Sequence, residues 1–312
     1  MSDLTGIVWI AVAGLLFGSQ FIPSKYCPQF KSGAYNISMA IGILAGSAFS
    51  ILVLGPTGIA FSMFALAFLG GMTWVVGNYL LIIAVAKAGM ARSFIVINFS
   101  AVLSFLGGMA FLGELTGITI PRLALIAGAV GLVMLGSFLV TTTTPKKERA
   151  EHGRPGGGEM ILGFQAAFLA TIFFSIYNVM IAYVINTAGT PAGTAFISLA
   201  PGVMLGAVLG AFLAKGNELK DWRSAPPKWH LLAVAQGLVW AAAMVCIMFG
   251  WEGTGIALGT PVQVGTQTIV SSMWGIWAFG ELRKLKDRGP AYAKFAAGAA
   301  LTVVGIIVMT IS

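Results

Sequence analysis

The stretch Gly71-Met72-Thr73-Trp74-Val75-Val76-Gly77-Asn78 is echoed 166 residues later by Gly237-Leu238-Val239-Trp240. The same offset relates Ala88-Gly89-Met90-Ala91 to Thr254-Gly255-Ile256-Ala257, and an offset of 167 relates Leu112-Gly113-Glu114-Leu115 to Phe279-Gly280-Glu281-Leu282. A common offset held over more than forty residues marks an internal duplication. Each copy is strongly apolar, so the chain reads as two homologous membrane halves rather than a soluble repeat array.

Composition agrees. Of 312 residues, 58% are hydrophobic and 9% charged, where a soluble domain carries roughly 25% charged residues. The 41 glycines suit helices that approach closely in lipid. Long continuous apolar runs, rather than short alternating ones, exclude an outer-membrane barrel. At about 20 residues per span, ten are predicted: 4–23, 34–54, 61–85, 93–113, 121–141, 160–185, 191–213, 230–250, 256–279 and 291–311. The expected architecture is therefore an all-α membrane protein. Residues 1–142 form a first five-helix repeat, 143–159 a linker with Lys146, Lys147, Arg149 and Arg154, and 160–312 a second five-helix repeat. Met1-Ser2-Asp3-Leu4 lacks the positive charge of a signal peptide, so the first apolar run reads as a retained helix.

Charge placement orients the chain. Connections 1–2, 3–4, 5–6, 7–8 and 9–10, with Lys294, hold 17 of the 18 Lys and Arg residues; the other side keeps only Arg122. Such a bias marks the cytoplasmic side. It puts the linker in the cytoplasm and both termini outside, in a multi-pass protein of the cell membrane. The net charge of +8 serves topology and implies no nucleic-acid partner. Five spans per half make the repeats inverted, a plan common among secondary transporters, whose substrate sites lie near the midplane. Gly42 with Gly46, Gly202 with Gly206 and Gly210, and Gly255 with Gly259 read as helix-contact faces. Pro23, Pro201 and Pro261 are expected to end or bend their helices.

No Asp, Glu, Lys, Arg or His falls at the middle of a predicted span. An ionised group there costs at least about 2.5–3.5 kcal/mol and is kept mainly for function. Its absence argues against phosphorylated and cationic substrates and for a neutral polar one. The candidate substrate-binding residues are neutral: Gln20, Trp74, Asn78, Asn98, Tyr177, Asn178, Gln236, Trp240, Gln263, Gln267, Ser271 and Trp274. Carboxamides donate and accept, so they can pair with adjacent sugar hydroxyls. Indole faces can cover the C–H face of a sugar ring. Helix-to-helix bonding is the competing reading for each amide. Trp74 and Trp240, as repeat equivalents, are expected on opposite walls of one cavity at similar depth. Trp9, Trp229 and Trp251 sit near span ends and are assigned to the aromatic belt. Glu114 and Glu281, equivalent positions at the ends of spans four and nine, serve either a helix terminus or gating and proton coupling. Cys27 and Cys246 have no metal spacing, His152 and His230 lie in or beside loops, and there is no P-loop. No catalytic set, metal or cofactor is expected.

Three stretches carry a resemblance to a known family. Gly14-Leu15-Leu16-Phe17-Gly18-Ser19-Gln20-Phe21-Ile22-Pro23-Ser24-Lys25 resembles the first-helix signature of the glucose/ribose uptake branch of the drug/metabolite transporter superfamily. Residues 71–78 resemble its third-helix motif. Ser271-Ser272-Met273-Trp274-Gly275-Ile276 with Phe279-Gly280-Glu281 is similar to its ninth-helix ending. The second half departs from the pattern, with Ala243-Met244 where the first has Gly77-Asn78. The resemblance implies a ten-helix inverted fold, spans 1–4 and 6–9 around a cavity, and carbohydrate uptake, coupled to protons in some relatives. The leading expectation is a secondary porter for a neutral sugar or related polyol, embedded in membrane lipid. An exporter of amphipathic metabolites or drugs is the rival within transport, and a non-transporting scaffold or receptor the rival outside it. The inverted duplication favours transport.

Overall fold

The computed structural model describes residues 3–20, 22–27, 29–54, 58–88, 90–143, 157–214, 218–279 and 288–311. These segments are mostly helical, as an apolar solvent requires: a backbone that cannot reach water must bond to itself. In chain order the helices are α1 (Asp3–Ser19), α2 (Ser32–Leu54), α3 (Phe61–Ala88), α4 (Met90–Ile97), α5 (Ser100–Phe111), α6 (Ile120–Thr141), α7 (Gly157–Ala182), α8 (Ala192–Leu213), α9 (Glu218–Ser224), α10 (Pro227–Met273) and α11 (Arg288–Ile311). A 3₁₀ turn, Pro23–Tyr26, follows α1, and π turns close α7 (Tyr183–Thr187) and α10 (Trp274–Ala278).

Among the described residues, eight helical stretches are long and apolar enough to cross a membrane. The expected spans differ from these in three places. α1 closes ahead of Pro23, leaving a shorter apolar helix, Leu4–Ser19. α4 and α5 make one stretch, Ser93–Phe111, interrupted by a turn at Asn98-Phe99. Hydroxyls of α7 donate to nearby carbonyls, Thr171 to Val96 at 3.0 Å and Ser175 to Ser100 at 3.3 Å. Such side-chain bonds support irregular backbone at membrane depth.

The third difference is α10. It contains one non-helical residue, Gly255, at φ 71° and ψ 175°. Before it, the helix runs antiparallel to α1: the ring of Trp9 meets that of Phe249, and Phe17 meets Trp240 edge-on. After it, the helix runs parallel to α1: Gly14 lies against Gln263 and Thr266, and Gly18 against Gln267 and Val270. The chain therefore doubles back at Gly255, giving arms α10a (227–254) and α10b (256–273). The expectation that Gly255 forms a helix-contact face is corrected here. Its positive φ is the left-handed region that glycine enters at little cost, and it is the reversal itself.

Small residues set the helix pairs. Gly71 of α3 lies against Leu199, Gly202 and Val203 of α8, and Gly237 of α10a lies against Met39, Gly42 and Ile43 of α2. A methyl at Gly42 would strike the Val234 carbonyl, and one at Gly202 the Phe68 carbonyl. α6 and α11 pack through Gly136 against Gly298 and Thr302, and through Gly305 against Ala129 and Val133. With little hydrophobic drive between helices in lipid, such close approach supplies dispersion contacts.

At one end of the bundle the basic residues meet partners from other connections. Lys31 pairs with Asp221 at 2.8 Å, Lys87 with Glu159 at 3.5 Å, and Lys294 donates to the Thr142 carbonyl at 3.2 Å. Connections 1–2 and 7–8 thus share an end, as do 3–4 and 5–6. Residues 144–156, the bulk of the predicted linker, lie outside the described residues.

Candidate functional site

Inside the bundle, α1, α3, α4, α5, α7 and both arms of α10 enclose a cavity of about 130 Å³. Nine of the twelve candidate substrate residues line it: Gln20, Trp74, Asn78, Asn98, Tyr177, Asn178, Trp240, Gln263 and Gln267. Phe17, Leu81, Phe94, Ile97, Ser100, Phe174, Met244, Ile247, Trp251, Thr260 and Val264 complete the lining. No lining residue is an acid, a lysine, an arginine or a histidine. At this size it falls below the roughly 300–1,000 Å³ of drug-sized pockets and suits a small ligand.

The carboxamides are held by neighbours on other helices. Asn78 donates to Asn36 Oδ1 at 3.0 Å, Asn178 to Ser104 Oγ at 3.0 Å, and Asn98 to Thr268 Oγ1 at 3.5 Å. Gln263 donates to Gln267 one turn along α10b. Each bond uses one of the two N–H donors of the amide, which leaves a second N–H and the carbonyl oxygen of Asn78, Asn98 and Asn178 for a ligand. Tyr177 Oη donates to Met244 Sδ at 2.9 Å.

Trp240 is 2% exposed and makes the apolar floor with Phe17, Phe196 and Trp74. The expected placement of Trp74 and Trp240 on opposite walls is corrected. Their ring centroids are 4.8 Å apart at an interplanar angle of 54°, so they form one continuous aromatic surface. The two rings reach each other from α3 and α10a, whose backbones stay apart, so no gap is left between them.

Three candidates lie elsewhere. Gln236 accepts from Tyr35 Oη at 2.5 Å and donates to Met39 Sδ at 3.6 Å, sealed between α10a and α2. Ser271 is exposed and donates to the Thr268 carbonyl of its own helix at 3.2 Å. Trp274 is 40% exposed on the π turn, its Nε1 donating to Ser19 Oγ at 2.9 Å. All three share a helical stripe with true lining residues. They fail on depth, one to two turns beyond the cavity, which periodicity does not report.

Trp251 goes the other way. Assigned to the belt, it is 1% exposed, packed beside Gly259 and lining the cavity. With Thr260 it was missed because the reversal at Gly255 tucks the end of α10a inward. Trp9, by contrast, is 37% exposed at a span end, as a belt residue should be.

The acids act on helix termini. Glu114 takes two backbone N–H groups at the start of α10b, Ile256 N at 3.0 Å and Ala257 N at 2.7 Å. A carboxylate there satisfies otherwise orphaned donors and the positive end of the helix dipole. Glu252 accepts from Ala192 N at 3.1 Å at the head of α8, and Glu218 from Gly33 N at 2.5 Å at the head of α2. Glu281 lies outside the described residues. Near the basic end, burial pushes the Cys27 thiol above its ordinary pKa, and Cys246 is buried as well. Among the described residues there is no His, Cys, Asp or Glu cluster suited to a metal.

No protein-family model matches the chain. A protein of Enterococcus faecalis (strain ATCC 700802 / V583) described as a "Putative sugar uptake protein" is 21% identical over 254 residues, covering 81% of this chain and 82% of the relative. Two proteins of Streptococcus agalactiae with the same description are 28% identical over 117 residues, covering 35% of this chain and 37% of each relative. A solved crystal structure aligns over 99% of this chain and 98% of its own at a TM-score of 0.73 and 16% identity, a likeness of fold alone.

Proposed function

We propose that the chain is a secondary transporter that takes up a neutral sugar or related polyol by alternating access. In this reading it has the ten-span, inverted 5+5 fold of the drug/metabolite transporter superfamily. The halves are 1–142 and 160–312, joined by a cytoplasmic linker at 143–159. The observation that carries the reading is the cavity: charge-free, faced by indole rings, and edged by amide and hydroxyl groups. That is the chemistry a sugar needs, with C–H faces for the rings and hydroxyls for the amides.

The lining also supports the duplication. Trp74 and Trp240, Asn78 and Met244, Leu81 and Ile247, Phe94 and Thr260, Ile97 and Gln263, and Asn98 and Val264 are all pairs separated by 166 residues. A cavity lined by such pairs lies on the axis relating the halves, where inverted-repeat transporters bind substrate. The glycine contacts repeat too. Gly71 and Gly237 stand 166 apart, while their partners Leu199 and Met39, and Val203 and Ile43, stand 160 apart. Counting α10a and α10b separately and taking α1 as a span gives the proposed ten. The shared end of the basic connections supports the orientation with both termini outside. The sugar uptake relatives favour carbohydrate and inward movement over the exporter reading.

Uptake of radiolabelled neutral monosaccharides into proteoliposomes, with and without a pH gradient, tests the function. Saturable accumulation is expected, together with competition by sugars and none by sugar phosphates. Strong inhibition by phosphates or quaternary ammonium compounds overturns it. Orientation is tested separately by impermeant thiol reagents on single cysteines placed at Ser2, Gly157 and Ser312, with both native cysteines buried in the background. Labelling of the Gly157 site from outside sinks the topology and the inversion with it.

A further inference from the structure

Three residues that line the cavity each carry a buried side-chain atom with no hydrogen-bond partner: Gln20 Oε1, Trp251 Nε1 and Thr260 Oγ1. Two of them belong to one place. Trp251 and Thr260 flank the reversal at Gly255, and both are 1% exposed. Gln20 sits well away, ten residues along α1 from Ile10, which touches Gly250 and Gly259 of the reversal. At the helical rise this is about 15 Å.

The lack of a partner at Thr260 is out of keeping with the rest of the chain. Thr171, Thr254, Thr266, Thr268, Thr302 and Thr310 each donate to the carbonyl four residues back. That is the ordinary resting bond of a helical threonine in an apolar setting. Thr260 forgoes it, and the Trp251 indole, which can only donate, finds no acceptor. Leaving a buried donor unpaired is costly, and folds avoid it unless something else supplies the bond. Two such groups, from either side of one hairpin and facing one cavity, describe half of a binding site.

We propose that Trp251 and Thr260 form a recognition subsite at the hairpin end of the cavity for adjacent oxygens of a neutral polyhydroxylated ligand. The indole N–H donates to one oxygen, and the threonine hydroxyl exchanges a bond with its neighbour. Gln263, one turn beyond Thr260, borders the same place, and the absence of any lining cation keeps the ligand neutral. Glu114 positions the subsite without touching it: its carboxylate fixes the first N–H groups of α10b, and so the depth at which Thr260 and Gln263 enter the cavity. The subsite rests on the sugar-porter reading and adds two residues, Trp251, which its position near a span end assigns to the belt, and Thr260, which no pattern in the sequence singles out.

The test uses the full chain in lipid nanodiscs, with W251F, T260V and T260S beside the wild type. Affinity is measured for the tightest binder among D-glucose, D-galactose, D-ribose and D-xylose, and the melting temperature without ligand is recorded. W251F and T260V are each expected to bind about ten-fold more weakly, the loss of one hydrogen bond. T260S, which keeps the hydroxyl, is expected to bind as the wild type does. Without ligand, T260V should melt at or above the wild-type temperature, since it removes an unpaired buried polar atom, while W251F also leaves the space of the lost ring and should melt lower. Wild-type affinity in both W251F and T260V overturns the subsite, whether or not they melt earlier. If the wild type binds none of the four sugars, the sugar reading itself fails, a result distinguishable from the first.

Discussion

The two sequence repeats agree where helices touch and, apart from the pairs Trp74 and Trp240 and Leu81 and Ile247, disagree where the cavity is lined. Gly71 and Gly237 are both glycine, and each lies against the equivalent pair of residues on the facing helix. Trp74 and Trp240 are both tryptophan. At four other pairs that line the cavity the equivalences break: Asn78 answers Met244, Asn98 answers Val264, Ile97 answers Gln263, and Phe94 answers Thr260. In each of these pairs one half is polar and the other apolar. Close backbone approach has one solution, glycine, so it holds in both copies. On the proposed reading the ligand is a sugar, which has no two-fold symmetry, so a site between the halves gains by abandoning it. On that reading the contrast separates residues that build the bundle from those that orient a ligand.

The largest effects should come from the symmetric set. Gly71→Val and Gly237→Val each drive a side chain into the backbone of the facing helix. Each should cost about 3 kcal/mol of stability and cut folded yield sharply, by melting in detergent and size-exclusion profile. Equal damage from the two sharpens the comparison. A fold that tolerates one and collapses with the other breaks it.

Next come the asymmetric positions. Asn78→Ala removes a carbonyl from the cavity and should weaken sugar binding by about 1–3 kcal/mol, roughly a five- to 150-fold loss, with yield nearly intact. Met244→Ala removes only a thioether that accepts from Tyr177, so its affinity should stay within about threefold of wild type while melting falls as a cavity opens. If Asn78→Ala lowers yield and the remaining protein binds normally, Asn78 belongs with the builders.

What could be read without coordinates follows the same line. The helical, apolar character of the chain and the neutral character of the cavity were legible because each is a property of composition along a helix. Helical spacing also gave the correct face for Gln263 and Gln267. It could not give depth, which is why Gln236, Ser271 and Trp274 were drawn into the site and Trp251 and Thr260 left out of it. Depth depended on where α10 turns back, and Gly255 four residues before Gly259 looks like a contact pair until its φ is known. Nor could spacing tell whether Trp74 and Trp240 face across a gap or touch.

Glu114 offers a smaller test. Glu114→Gln keeps one acceptor oxygen for two backbone donors and should cost about 1 kcal/mol, with Glu114→Ala costing more. A helix-terminus role predicts a fall in melting temperature in that order, with sugar exchange preserved. A coupling role predicts unchanged melting and loss of accumulation driven by a pH gradient.

The faintest effect belongs to the basic end, where the halves are joined across water rather than through the cavity. Lys31 pairs with Asp221 at 2.8 Å, and the hydrogen bond to that carboxylate raises the lysine above its ordinary value of 10.5. A raised lysine contributes stability below its unfolded value, and the contribution is lost as pH climbs through the folded one. From about pH 6 to about pH 9 the pair is therefore constant, and wild type and Lys31→Gln should show parallel melting curves against pH. Both side chains are largely in solvent, where entropy and screening take back most of an ion pair. The offset between the curves should be small in low salt and vanish in high salt. A large offset that survives salt would mean that the connections at this end hold the halves together as firmly as the glycine contacts do, and the division between builders and ligand residues would have to include them.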